Sequence, residues 1–228
     1  MAFDASGTAY LAVAASGTTS GPDIVVTRSG DGGRTWSSAV RVATGSGSSG
    51  SAVHNDHPRL AASGNGDVVV TWIHSDFGPQ GTFVDAPVFD AVSHDGGQNW
   101  STPPAISGSA PFCTGSQSDN ACDLTFGNAV AISPAGVLVS FQDTYQNSPS
   151  GGTNLGRNKH MMVNVDIATG ARTGGPYLVG QAYDGINEHD FPVDARGLQT
   201  LHDSQINLDL DGNIAADPAD PEHFAVVW

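Results

Sequence analysis

One eight-residue turn, present twice, constrains this chain more than any other feature. Ser29-Gly30-Asp31-Gly32-Gly33-Arg34-Thr35-Trp36 recurs as Ser93-His94-Asp95-Gly96-Gly97-Gln98-Asn99-Trp100. Each copy follows a β-type run, 23–28 or 87–92, and each is followed by Ser and a further extended run. A tight turn explains the residue types. The Asp carboxylate can accept backbone N–H groups further along the turn, and the glycines tolerate positive φ. The Trp returns apolar area to the core directly after the turn. A lone Asp-Gly turn says little, but a turn repeated at fixed internal spacing marks a repeat architecture. Both Trp36 and Trp100 are expected to be buried between neighbouring strands.

The pattern resembles the Asp-box, or bacterial neuraminidase repeat, Ser/Thr-x-Asp-x-Gly-x-Thr-Trp. The first copy matches every fixed position; the second carries Asn99 in place of Thr. The resemblance implies an all-β, sialidase-like β-propeller of four-stranded antiparallel blades. In that family each box joins the third and fourth strands of a blade, remote from the catalytic centre. Asp31 and Asp95 are therefore read as structural.

The rest of the chain fits that repeat as one domain over 1–228, with units near 1–50, 51–108, 120–180 and 207–228. Strands are expected at 8–14, 23–28 and 38–43, then at 57–62, 67–73, 87–92 and 102–106. The run Val68-Val69-Val70-Thr71-Trp72-Ile73 is nearly all apolar, as in a strand covered on both faces. In the third unit, 128–141 repeats the strand–turn–strand pattern and 160–166 supplies the next strand. The turn 166–170 falls where a box is due but lacks the Trp, so it reads as a degenerate box. Segments 74–86 and 142–158 read as polar loops and 174–206 as irregular. The fourth unit offers two strands. The total is about three and a half blades, fewer than the four to eight that close a propeller. The chain is expected not to form a closed ring alone. Open blade edges invite self-association, and the sequence reads as part of a longer protein or of an oligomer.

Charge narrows the partners. With 23 acidic against 8 basic residues, the formal charge is −15, which repels nucleic acid and anionic membranes. It also disfavours capture of anionic sugars. No apolar run is long enough to span a bilayer, and no signal peptide is visible. Cys113 and Cys122 close one short polar loop, so a disulfide and an oxidising, extracellular or periplasmic setting are expected.

Alternating strand directions place the short turns 4–7, 63–66 and 133–136, and the boxes, on one face. The long connections 44–56, 74–86, 107–125, 142–158 and 174–209 lie on the other. Function concentrates in long loops on a rigid scaffold, so the site is expected on the long-loop face, at the mouth of the central tunnel. The chosen catalytic residues are Asp56 and Glu188 as carboxylates, Tyr145 as the nucleophile and Arg157 as its charge partner. Paired carboxylates suit glycosidic bond hydrolysis, and a Tyr assisted by a Glu suits the nucleophile of sialidases. That family also binds its substrate carboxylate with arginines, the first in an Arg-Ile-Pro motif. Here Asp56-His57-Pro58 stands in that place.

The leading function is therefore a secreted glycoside hydrolase acting on glycans. The alternative is a non-catalytic propeller that binds glycan or protein. A metal-assisted enzyme using His54, His57 and His74 is a third reading, with ligand spacing that is not diagnostic. No cofactor is expected. Segment 207–212 resembles the start of a calcium loop, but Pro218 stands where a bidentate Glu is needed, and a hairpin turn explains it better.

Overall fold

A computed structural model describes residues 1–17, 21–47, 51–64, 66–113, 115–116, 118–133, 135–143, 159–181, 212–217, 219–220 and 222–227. They form three four-stranded antiparallel sheets and a two-stranded one. The first blade is β1 (Ala2–Phe3), β2 (Ala9–Ala15), β3 (Asp23–Ser29) and β4 (Val40–Ala43), in that order. The second contains β5 (Ala52–Ala62), β6 (Val68–Phe77), β7 (Phe83–Asp85) and β8 (Val88–Ser93). The third is β9 (Thr125–Ser133), β10 (Gly136–Asp143), β11 (Lys159–Val165) and β12 (Arg172–Gln181). β13 (Asn213–Ala216) and β14 (Phe224–Val227) begin a fourth. Each blade packs on the next through its first strands, β2 on β5, β5 on β9 and β9 on β13.

Burial explains why these segments are strands. Val68 through Ile73 are all buried, because β6 faces a blade on each side. Val70 and Trp72 pack toward blade one with Ile24 and Val26, while Val69 packs toward blade three with Val137, Val139 and Val165. Leu138, Ala129 and Ile214 join blade three to the half-blade.

The two repeated turns have one set of bonds. Asp31 Oδ1 accepts the Arg34 and Thr35 amides at 3.0 and 2.9 Å, and Asp95 Oδ1 accepts those of Gln98 and Asn99 at 2.9 Å each. The Thr35 hydroxyl reaches Asp31 Oδ2 at 2.6 Å; the Asn99 amide reaches Asp95 Oδ2 at the same distance. Asn therefore replaces Thr without loss of a bond. These donors hold the Asp31 carboxyl down at about 2, the Thr35 hydroxyl acting most strongly, and hold Asp95 well below the usual carboxylate range. Asp166 makes a related turn, accepting the Ala168 and Thr169 amides at 2.8 and 3.0 Å.

The two tryptophans differ in burial. Trp100 is half-buried against the blade-one cluster, and Tyr10 and Arg28 of blade one cover its turn, Arg28 Nη1 donating to Gly96 O at 3.0 Å. Trp36 is 38% exposed, contrary to the expectation of burial. A turn of this kind presents its Trp to the preceding blade, and no described blade precedes the first.

Three sequence expectations change in shape. Segment 74–86 is a projecting hairpin rather than a loop. β6 continues to Phe77, a 3-10 turn spans Pro79–Gly81, and β7 returns along it, while Ala52 to Asp56 of β5 adds a third strand. Phe77 holds this flap together, with ring centroids 4.9 Å from His54 and 5.9 Å from Phe83. The fourth strand near 102–106 is one bridge, Phe89 to Ala105, since Pro103 and Pro104 have no N–H to donate. β12 runs to Gln181, into the segment read as irregular.

Cys113 and Cys122 are disulfide-bonded, as expected, and both are buried against the core between blades two and three. Asp90, on β8, points into the same interface. It is fully buried, and neither carboxylate oxygen has a hydrogen-bond partner. Burial pushes its pKa up to about 7.

Candidate functional site

Asp56 lies midway along the innermost strand of blade two, where β5 passes from the flap into the blade. β5 pairs regularly with β6 up to Asp56, opposite Ile73, and resumes at Arg59, opposite Thr71. The two residues between form a bulge. Pro58 cannot donate to the ladder, and His57 takes φ 52°, unusual for a residue with a Cβ. Bulges re-aim side chains, and here the result is a carboxylate 63% exposed.

Both flanks of Asp56 are anchored. The buried Asn55 donates from Nδ2 to Pro22 O of blade one at 3.0 Å. Its Oδ1 accepts Trp72 Nε1 at 3.0 Å and lies 2.8 Å from His74 Nδ1. On the other side Asn128 Nδ2 donates to His57 O at 2.9 Å, and Thr71 Oγ1 donates to Asn128 Oδ1 at 2.6 Å. Arg59 Nε donates to Asn128 O at 3.2 Å. Asp56 Oδ1 itself accepts the His57 amide at 2.8 Å. Two asparagines thus tie three blades together around one exposed carboxylate, and rigid support of this kind holds a reacting group in place.

The three histidines do not converge. His54 stacks on Phe77, His57 on Phe126 at 5.3 Å, and His74 on Phe89 at 4.4 Å. Burial lowers the His74 pKa, opposed by Asp76. Among the described residues no group of three or more His, Cys, Asp or Glu has the geometry to hold a metal.

A second acidic group joins Asp76, which the sequence marks together with His74 as chemically capable, to Asp85 and Asp123, which it does not. Asp85 on β7 stands opposite Asp76 on β6 and shares a side-chain hydrogen bond with it. Asp123 contributes from blade three, where its Oδ1 accepts the Ser116 amide at 2.8 Å. Burial first, then the charges of Asp76 and Asp123, raise the Asp85 pKa to about 6. Asp85 therefore holds its proton to a higher pH than an ordinary carboxyl. The segment between, 78–82, is rich in turn residues, so the local sequence did not show Asp85 returning beside Asp76.

Of the predicted catalytic residues, Asp56 is placed as described. Glu188, Tyr145 and Arg157 lie outside the described residues, as does the calcium-like segment up to Asp211. Among the described residues no helix is long and apolar enough to cross a membrane.

Sheets of four antiparallel strands, stacked blade upon blade from the innermost strand outward, define a β-propeller, here of about three and a half blades. No protein-family profile and no curated protein sequence matches the chain. Solved structures do match its fold. One is an α-L-arabinofuranosidase mutant from Fusarium graminearum in complex with an iminosugar inhibitor, at 14% identity and a TM-score of 0.55, covering 96% of this chain and 52% of that one. Another is the GH93 α-L-arabinofuranosidase of the same organism with arabinobiose, at 14% identity and a TM-score of 0.53, with the same coverage. The chain spans about half the length of these proteins.

Proposed function

We propose that this chain is part of a secreted, carbohydrate-active β-propeller of the sialidase-like, box-bearing kind, and that it hydrolyses a glycosidic bond at its long-loop mouth. The observation that carries the reading is Asp56: an exposed carboxylate on the innermost strand, at a bulge, braced by a buried asparagine on each side. Glycosidic hydrolysis uses two carboxyl groups, one protonated near neutral pH. Asp56 is proposed as one of the reacting carboxylates. Asp85 pairs with Asp76 on the other face of the flap and is not assigned a part in this reaction. Glu188, Tyr145 and Arg157 stay in the proposal from sequence: Glu188 assists Tyr145 as nucleophile, and Arg157 balances its charge. The disulfide suits an oxidising compartment. The fold shared with arabinose-releasing enzymes makes neutral arabinosides the first substrates to test. The charge of −15 and the missing Arg-Ile-Pro motif argue against sialosides.

The test compares wild type with Asp56→Asn, Glu188→Gln and Asp85→Asn on an aryl α-L-arabinofuranoside, arabinobiose and a sialoside. Loss of a catalytic acid or base costs roughly 10²–10⁴-fold in rate. An active wild type whose Asp56→Asn variant keeps full rate removes Asp56 from the mechanism. A wild type that binds glycan without turnover replaces the hydrolase by the binding-module reading. Asp85→Asn, on the other face of the flap, is the control expected to keep the wild-type rate.

A further inference from the structure

The flap of blade two carries exposed aromatic rings that the catalytic proposal does not use. Phe83 is 41% exposed, His54 is exposed and Phe77 lies half-buried between them. In an antiparallel ladder, directly opposed residues point to the same face and alternate residues share it. Ala52 opposes Phe77, His54 opposes Ser75 and Asp56 opposes Ile73, so Asp56, His54 and Phe77 share one face. Phe83 opposes Phe77 and joins them. Asp56 and His54 are two residues apart, about 7 Å along a strand. From His54 the rings continue at 4.9 Å to Phe77 and 5.9 Å to Phe83. The result is a row leading away from the proposed reacting carboxylate.

We infer that this row is a subsite for a neutral glycan chain, which lays the C–H faces of its sugar rings along His54, Phe77 and Phe83 while its reacting end lies at Asp56. The inference rests on the carbohydrate reading above. The chemistry of the flap selects this occupant. Residues 52–56 and 73–85 contain no Lys or Arg, so nothing there neutralises an anionic ligand. On the face of the row the carboxylate is Asp56, 63% exposed, whose oxygens accept hydrogen bonds and need donors. A stable protein partner needs roughly 1,000 Å² or more of buried surface with a mainly apolar centre. Three rings beside a carboxylate do not provide that. A neutral sugar presents an apolar C–H face together with several hydroxyl donors, and matches both features.

The experiment measures binding of arabino-oligosaccharides of increasing length, with sialyllactose as the anionic control, to wild type, Phe83→Ala and Phe83→Trp. Turnover of an aryl α-L-arabinofuranoside, too short to reach Phe83, is followed in parallel. Thermal denaturation checks that both variants keep the fold, and Phe83→Trp keeps a ring against Phe77. Phe83→Ala should weaken binding of the longer oligosaccharides about tenfold, leave the aryl glycoside unaffected, and be rescued by Phe83→Trp. Equal affinity of Phe83→Ala and wild type overturns the subsite while leaving the carbohydrate reading intact. Tighter binding of sialyllactose than of the neutral oligosaccharides also overturns it. A wild type that neither binds nor cleaves any of these glycans overturns the carbohydrate reading and the subsite with it. A dimer that dissociates on Phe83→Ala would assign the row to a second copy instead and overturn the proposal.

Discussion

Asp90 should make the stability of this protein fall as pH rises through neutrality. Its carboxyl is fully buried between blades two and three, with no partner for either oxygen. Thr71 stands opposite on β6, Ser101 Oγ and Gly170 border the carboxyl, and the backbone N–H of Asp90 donates to Pro104 O at 3.4 Å. The ionisable groups of the neighbouring turns are engaged elsewhere and make no bond to Asp90: Asp166 with its own turn, His94 with Asp67 and Ala168 O, Arg172 with Gly175 O. Burial alone raises the pKa, from 3.8 to about 7. The folded state therefore binds a proton that the unfolded state has already lost. The stabilising contribution is complete below pH 3.8 and is lost as pH rises to about 7. A shift of about three units at 1.36 kcal/mol each is on the order of 4 kcal/mol, an upper figure because the buried site can relax. Urea unfolding followed by tryptophan fluorescence, from pH 5 to pH 8, should show stability falling by roughly 1.4 kcal/mol per unit up to pH 7. Asp85 titrates in the same direction, and the buried His160, its pKa lowered by burial to about 4, in the opposite one. The diagnostic quantity is therefore the difference between wild type and Asp90→Asn. That difference should slope across the window; parallel curves would refute the reasoning.

Three further outcomes are expected. Trp100→Ala should cost roughly 3–5 kcal/mol, as for large aromatic truncations in a core, and Trp36→Ala distinctly less, since its ring is 38% exposed; chemical denaturation of the two variants measures the contrast. Asn55→Leu removes the acceptor for Trp72 Nε1 and the tie to Pro22, and should cost about 1–3 kcal/mol for the buried donor left unmet; unfolding midpoints check it. Thiol titration of unreduced, denatured protein should find no free cysteine, and reduction should lower the unfolding free energy by roughly 2–4 kcal/mol.

Much of the fold was legible in local sequence, because its turns are local. The bonds of Asp31 and Asp95 close within four residues, so the spacing of Ser, Asp, Gly and Thr or Asn already contains them. The apolar run from Val68 to Ile73 shows that β6 is covered on both faces. Cys113 and Cys122, nine residues apart, need no distant element to meet. What the sequence left undecided depends on contacts between blades. Trp36 and Trp100 occupy the same place in the same motif, yet differ in burial because, among the described residues, only Trp100 has a blade in front of it. Asp90 sits in an ordinary strand pattern, and only the docking of blade three removes it from water. His54, Phe77 and Phe83 meet only once the polar segment after Ile73 folds back as a hairpin, and the bulge at His57 and Pro58 exposes Asp56 only because Asn55 and Asn128 hold it from opposite sides. Residue spacing determines bonds that close within a turn; burial, pKa and the approach of side chains from different blades are set by tertiary packing.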